Sequence, residues 1–455
     1  MTDLVSTARP SASADATPAG TAIVGGGMLG LVLALRLTAR GEAVTVLESG
    51  AGLGGLAEPW ELGGLNWDRH YHVTLFSDAA LRGVLRELGL ESDVRWNPVG
   101  TGFYTAGRFH PMNGVLDFLR FPALGLVDKL RLGLTIALGS RIADPAALER
   151  VSVEEWLVRR SGRRTFEKIW RPLLRAKLGE RYRDASAAFI WAIIVRLYAA
   201  RRAGLGAERF GYVPGGYARI LERLAATLRA RGATLETNVR VTTVCADAAR
   251  GVLVRDAAGG ERRFARAVVT VPAPVAGALV PQLDEDARAR LAGKTYGGIV
   301  CASLLLDRPL GPYYVTNITD DWVPFTGVID MAALVDRAEW GGGALTYLPK
   351  YVRPDDPIFE RSDAEIEASF LGALERMYPD FTRERVRAFR VSRVRHVFPI
   401  ATIDYSKSLP PIATSVPGVF ILNSAHIVNG TLNVNETVLL AERGLAALDG
   451  AGALA

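Results

Sequence analysis

The stretch from Thr21 to Ala57 constrains this chain more than any other. Ala22 to Val24 is a short apolar run of the kind a buried parallel strand shows. Gly25, Gly27 and Gly30 fill a G-x-G-x-x-G frame directly after it. Leu29 to Thr38 then has helical spacing, with Leu31, Ala34, Leu35 and Thr38 close to one face. Val44 to Leu47 reads as the second strand, and Glu48 closes it eighteen residues past Gly30. Gly25 permits the tight turn, Gly27 lets backbone approach a pyrophosphate, and Gly30 lets helix and strand pack closely. The helix N-terminus offers free N–H groups and a positive dipole end to phosphates. Glu48 is placed to accept the hydroxyls of an adenosine ribose. Strand, helix, strand and acid in register read as a dinucleotide-binding unit rather than a chance glycine turn.

Gly52, Gly54 and Gly55 form a second glycine turn just after Glu48. With it the chain resembles the flavoprotein superfamily of monoamine oxidases, protoporphyrinogen oxidases and phytoene desaturases. There the acid is followed by a G-x-G-G turn lining pyrophosphate and flavin, so the resemblance implies FAD. It assigns Met28, Leu29, Ser49, Gly54, Gly55 and Leu56 to the cofactor, with Leu56 where the superfamily usually has a basic residue. The next run, Gly63 to Asp78, contains Asp68, His70, Tyr71 and His72 on the path that passes the flavin ring. It also resembles UDP-galactopyranose mutase, where a histidine at the position of His72 lies near the flavin. Two readings stay open for His70 and His72: rings bonded to backbone in a buried loop, or flavin contacts with acid/base work. Phe210 to Val244 resembles the superfamily's return to the flavin domain, and by spacing Val241 holds the adenine-contacting valine's place. Near the end, Gly418 to Leu422 reads as a last parallel strand followed by Asn423, Ser424 and His426. Ligands bind at that end of such sheets. Asn433, Val434 and Asn435 lead into a helix from Glu436 to Leu448, with Asn435 as its N-cap. In the resembled family that N-terminus faces the flavin.

The rest of the chain frames this unit. The 455 residues allow two domains and a large core. Residues 1–20 are rich in Ser, Ala, Thr and Pro and read as a disordered leader. Cys245 and Cys301 lie in apolar runs and read as buried, inert thiols, with no metal or disulfide framework legible. Between Pro111 and Arg202 the pattern is helical, and Leu119 to Arg141 is its most apolar part. Leu126, Leu130, Leu134 and Ala137 repeat at helical spacing, while Asp128, Lys129 and Arg131 interrupt any run of membrane-spanning length. The favoured reading is a buried helix of a substrate domain. The alternative is a monotopic membrane-facing surface, as the resembled protoporphyrinogen oxidases and desaturases have. Arg159 to Arg183 holds ten basic and two acidic residues, an excess of +8 against +6 for the whole chain. It reads as a solvated face or as an anion site. Aromatics are few there and no nucleic-acid motif occurs, which excludes a nucleic-acid partner.

The expected fold is α/β: a Rossmann-like FAD-binding domain with a parallel sheet and a discontinuous α+β substrate domain. The FAD domain takes residues 21–100, 210–275 and 391–455. The substrate domain takes 101–209 (helical) and 276–390 (sheet-containing). The resemblance implies an FAD-dependent oxidoreductase in which a substrate C–H bond delivers hydride to flavin N5. His72, His70 and His426 are the first candidates beside the ring. His396, Asp404 and Tyr405 form a second group, and Lys294 is a loose match to the lysine of amine oxidases. The alternative is a redox-neutral mutase acting on a nucleotide sugar. The expected partner is a small, phosphate- or carboxylate-bearing molecule. The expected location is cytoplasmic with peripheral membrane contact, and the oligomeric state is open.

Overall fold

The structure is a computed structural model that describes residues 19–203, 209–247, 251–428 and 430–452, and every structural statement below concerns these. The expected leader lies outside the described residues apart from its last two positions. β1 (Thr21–Val24), α1 (Met28–Ala39) and β2 (Val44–Leu47) form the predicted unit. α2 (Ala79–Glu87) follows, then a hairpin of β3 (Thr101–Thr105) and β4 (Arg108–Pro111). The hairpin turns at Ala106-Gly107, both at positive φ, as a two-residue connection of matching twist requires. A helical lobe comes next: α3 (Val115–Arg120), α4 (Leu126–Gly139), α5 (Val153–Ser161), α6 (Arg171–Leu178) and α7 (Ala187–Ala203). The chain returns through α8 (Gly216–Ala230) and β5 (Thr234–Glu236) to an antiparallel group, β6 (Val241–Asp247), β7 (Gly251–Asp256) and β8 (Glu261–Phe264), and then β9 (Arg266–Val269). β10 (Tyr296–Leu306), β11 (Val315–Ile318), β12 (Gly327–Asp330) and β13 (Ala344–Val352) build a second sheet, backed by α9 (Asp363–Met377) and extended by β14 (Val386–Pro399). β15 (Val419–Ile421) and α10 (Val434–Gly452) end the described chain.

Two sheets organise the molecule. The parallel one runs β5-β2-β1-β9-β15. Its strands are short and apolar because both faces are covered: α1, α8 and α10 pack on one side, and β6–β8 with neighbouring helices on the other. α1 is buried on nearly every side, which its composition of Leu, Val and Ala allows. The larger sheet runs β14-β10-β13-β12-β11-β3-β4 and is mostly antiparallel. This is the expected α/β architecture with a discontinuous α+β partner.

Four expectations change. Val241 does not end a strand of the parallel sheet; it opens β6 opposite Asp256. The backbone that reaches Glu48 belongs to Val239, whose N–H donates to the Glu48 carbonyl at 2.8 Å. α10 starts at Val434 rather than Glu436, and its cap is Asn433, whose Oδ1 accepts from Glu436 N–H at 3.0 Å. Asn435 caps a different helix: its Oδ1 accepts from the N–H groups of Ala80 and Leu81 at the start of α2. Finally, α4 is not buried as a whole. Leu132, Thr135 and Gly139 face inward, while the Leu126, Leu130 and Leu134 row faces out. Cys301 is fully buried as expected, but Cys245 is only half-buried.

Candidate functional site

The carboxyl ends of β1, β2, β9 and β15 converge on one edge of the parallel sheet, and the two glycine turns sit there. Gly54 N–H donates to the Gly26 carbonyl at 2.8 Å, so the turns are bonded to each other. Glu48 holds them. Its carboxylate accepts from Gly26 N–H at 2.7 Å and from Gly50 N–H at 2.6 Å, and Ser49 Oγ lies 3.2 Å away. A carboxylate has about four acceptor positions, so both oxygens keep capacity for ribose hydroxyls. Gly25 stands at φ 115°, and a Cβ there would press on Thr270 Oγ1. A Cβ on Gly27 would meet nothing closer than Gly55 Cα at 3.9 Å. Met28 and Leu29 are buried at the start of α1, and Leu56 is half-buried beside the second turn. No basic side chain stands at Leu56, but Arg69 enters from the next loop. Its Nη2 donates to the Gly55 carbonyl at 2.8 Å and its Nη1 is 3.3 Å from Glu58. Arg69 was missed in sequence because it reaches the turn from fourteen residues away.

The loop from Asp68 to His72 crosses the same edge. Asp68 is buried and accepts from Tyr217 N–H at 2.7 Å, while its own carbonyl accepts from the Tyr347 hydroxyl. Gly216 allows the approach, since a Cβ there would lie 2.7 Å from Asp68 Oδ1. His72 follows one turn on. Its Nδ1 is 3.6 Å from Asp68 Oδ2, too long for a hydrogen bond, and this buried nitrogen has no partner among the described residues. Its ring leans on Tyr217 at 4.7 Å between centroids. Tyr217, not singled out from sequence, is buried with its hydroxyl unpartnered, and burial holds that phenol neutral by raising its pKa. Tyr71 Oη pairs with Tyr351 Oη at 2.6 Å.

His70 and His426 are built into the scaffold, and the expected acid/base role does not fit them. Nδ1 of His70 donates to the Leu56 carbonyl at 3.1 Å, leaving Nε2 to accept from Ser392 Oγ at 3.1 Å. In His426, Nδ1 accepts from Asn423 N–H at 3.2 Å and Nε2 donates to the Pro410 carbonyl at 3.2 Å. Each ring is neutral with both nitrogens engaged, and burial lowers both pKa values. For His70 burial drives it to about 3. A base whose pKa is depressed on folding stabilises the fold above its unfolded value and loses that contribution as pH falls toward the folded one. His70 should therefore make the protein acid-labile between about pH 6.5 and about pH 3. At pH 5, about 1.5 units below the unfolded value, the loss is about 2 kcal/mol. His70→Gln should flatten that slope, read from denaturation midpoints at pH 7 and pH 5; an unchanged slope would contradict it.

At the end of β15, Asn423 is fully buried. Its Oδ1 accepts from Ala425 N–H at 3.0 Å, but its Nδ2 has no partner among the described residues. Asn433 and Val434 stand half-buried at the start of α10. Lys294, Tyr405 and His396 gather on the other side of that loop. Lys294 Nζ lies 2.5 Å from Ser408 Oγ and 4.4 Å above the Tyr405 ring, and burial lowers its pKa to about 8. The His396 ring meets Tyr296 edge to face, and burial lowers its pKa too. Asp404 forms an exposed pair with Lys407. The second group is thus assembled, but by polar packing behind the loop rather than at the glycine turns. The residues present fit an FAD: an open glycine cradle at Gly27, a ribose-side acid, and buried unpaired polar atoms on Asn423 and His72 beyond it.

The basic segment is mostly neutralised locally. Arg159, Arg163, Arg164, Arg175, Arg181 and Arg183 each pair with a nearby Glu or Asp. Beside it, α3 and α4 expose Val115, Leu116, Leu119, Leu126, Val127, Leu130, Leu134 and Leu138, with Leu126 at 75% and Leu130 at 66%. No helix of the described residues is long and apolar enough to cross a membrane.

Comparison with known proteins places this geometry. The family profile described as flavin containing amine oxidoreductase matches residues 29–433. A Synechococcus elongatus protein named provisionally as a zeta-carotene desaturase is 25% identical over 247 residues, 49% of this chain. The match spans about half (50%) of that relative's length. An Exiguobacterium sp. 255-15 structure, named provisionally as a protoporphyrinogen oxidase, superposes with a TM-score of 0.74 at 17% identity, over 94% of this chain and 98% of the other. A reduced UDP-galactopyranose mutase shares the fold at TM-score 0.70 and 16% identity, over 96% of each chain.

Proposed function

Because the chain belongs to the flavin-containing amine oxidoreductase family and is an FAD-dependent oxidoreductase, we propose that it oxidises or desaturates a small, largely apolar biosynthetic molecule bearing an acidic group. The observation that carries the reading is the carboxyl end of the parallel sheet, where two bonded glycine turns and Glu48 form an open cradle and the loops that follow carry buried, unpartnered polar atoms on His72 and Asn423. Gly25, Gly27, Gly54 and Gly55 with Glu48 would hold the dinucleotide, Val239 would border its adenine end, and Asn423 and the start of α10 its far end. Bound FAD supplies a two-electron acceptor for a C–H bond next to a heteroatom or double bond. The chain supplies the rest. Next to the Asp68–His72 loop, Tyr217 and Tyr347 are buried and Tyr71 and Tyr351 half-buried, large rings that would keep water from the reacting atoms. His72 is the proton acceptor in this reading, through Nε2, which makes no hydrogen bond among the described residues, while Asp68 Oδ2, 3.6 Å from Nδ1, stands behind the ring to stabilise the imidazolium.

The exposed face of α3 and α4 supports a cytoplasmic enzyme resting on an anionic bilayer. Its aliphatic side chains are interleaved with exposed Arg120, Arg131 and Arg141, which complement acidic headgroups. The redox-neutral mutase reading loses one of its two supports in part, since most basic side chains of the Arg159–Arg183 segment, Lys177 apart, are ion-paired rather than open to a diphosphate.

One experiment separates these readings. Acid-bearing isoprenoid and cyclic compounds, amines and nucleotide sugars are added to the purified protein without oxygen. Bleaching of the flavin absorbance by an acid-bearing apolar compound is expected, with a pH-dependent rate that His72→Asn flattens. Turnover of a nucleotide sugar that begins only after chemical reduction of the flavin would overturn the proposal.

A further inference from the structure

A cavity of about 150 Å³ opens between α6 and the ends of β10 and β13. A cavity of about this volume has room for a ring the size of benzene. Its lining includes Lys177, Arg181, Tyr296, Gly297, Arg353 and Asp355. Most of the charge is already matched. Arg353 holds Asp355 with two bonds, at 2.9 and 2.8 Å, and Arg181 pairs with Asp184 at 3.2 Å. Lys177 differs: it is half-buried and makes no ion pair or hydrogen bond among the described residues. Its ammonium lies over two rings instead, 4.8 Å from the centroid of Tyr351 and 5.6 Å from that of Phe398. Those rings fix the charge without neutralising it.

The cavity is tied to both loops that flank the FAD groove. Tyr351, under Lys177, bonds through its hydroxyl to Tyr71, next to His72. Tyr296, in the cavity wall, lies with its hydroxyl 3.2 Å from Ser424 Oγ, next to Asn423. Resting on the reading of that groove as the FAD site, we propose that Lys177 is the substrate's anion anchor, and that it selects a compact molecule carrying a carboxylate. The same arrangement disfavours amines. A substrate ammonium would meet the like charge of Lys177. The family's name therefore does not describe the substrate this cavity selects.

The test compares three ligands of one shape. Purified FAD-loaded protein is titrated calorimetrically with benzoate, benzyl alcohol and benzylamine, and flavin content is read from absorbance. A charge-assisted contact in a sheltered site is expected to make benzoate bind about tenfold more tightly than either analogue. Lys177→Gln should remove that preference with flavin content unchanged, and Lys177→Arg should keep it to within about threefold, since charge is retained. Benzoate binding no tighter than benzyl alcohol, or equal in wild type and Lys177→Gln, would overturn the proposal. Benzoate selectivity in a protein that holds no flavin would support the Lys177 site and count against the FAD reading instead.

Discussion

Gly27→Leu should purify as a folded, colourless protein. The fold has room for the side chain, because a Cβ on Gly27 meets only Gly55 Cα, at 3.9 Å. The space it enters is the cradle between the two glycine turns, where backbone must approach a pyrophosphate closely. Retention of FAD should fall at least a hundredfold, while the melting curve stays close to that of wild-type protein stripped of flavin. Gly30 provides the contrast. A Cβ there collides with the Gly25 carbonyl oxygen and sits 3.0 Å from Ile23 Cγ2, so Gly30→Ala should lower the melting temperature as well. Flavin content by absorbance and melting by circular dichroism separate the two outcomes. Full FAD occupancy in Gly27→Leu would remove this site from consideration.

Replacing Leu126, Leu130 and Leu134 together with Ser should abolish binding to vesicles rich in anionic lipid and leave FAD content untouched. The three side chains are one row of α4, already in water, so the fold loses almost no packing when they become polar. A bilayer that buried them would gain roughly 1–2 kcal/mol from each. Their loss is therefore worth a hundredfold or more in partitioning. Raising salt should weaken binding of the wild type, because Arg120, Arg131 and Arg141 contribute through screened attraction. Vesicle co-sedimentation at low and high salt checks both parts. Equal sedimentation of the wild type and the triple variant would exclude this face as the membrane contact.

The glycine cradle was legible because every part of it is local. Gly25 to Glu48 encodes turn, helix and acid within one βαβ unit, and each residue type is dictated by a backbone requirement. Contacts made across the fold were not. Arg69 supplies a cation at Gly55 although the residue after that turn is Leu56. Asn435 stands at a plausible N-cap position for the helix it begins, yet it serves α2, some 355 residues away in sequence. Periodicity found the row Leu126, Leu130, Leu134, but a 3.6-residue repeat reports that a helix has an apolar face, not which side the protein occupies. The histidines show the same limit. His70 and His72 are two residues apart on one loop, and contacts made across the fold, Leu56 and Ser392 with His70 and Tyr217 with His72, determine which ring is locked and which is left free.

The strand order β5-β2-β1-β9-β15 has a consequence for biosynthesis. The cradle is made long before the strand and helix that would complete its site. Until α10 arrives, one face of α1 and the N-terminus of α2 lack their partners. Vectorial folding can finish the first βαβ unit early, yet Asn423 and Asn433 cannot join it until β15 and the start of α10 have been made. Flavin loading therefore waits for β15 and α10: nascent chains stopped after β9 should not retain FAD, however well their glycine turns are formed.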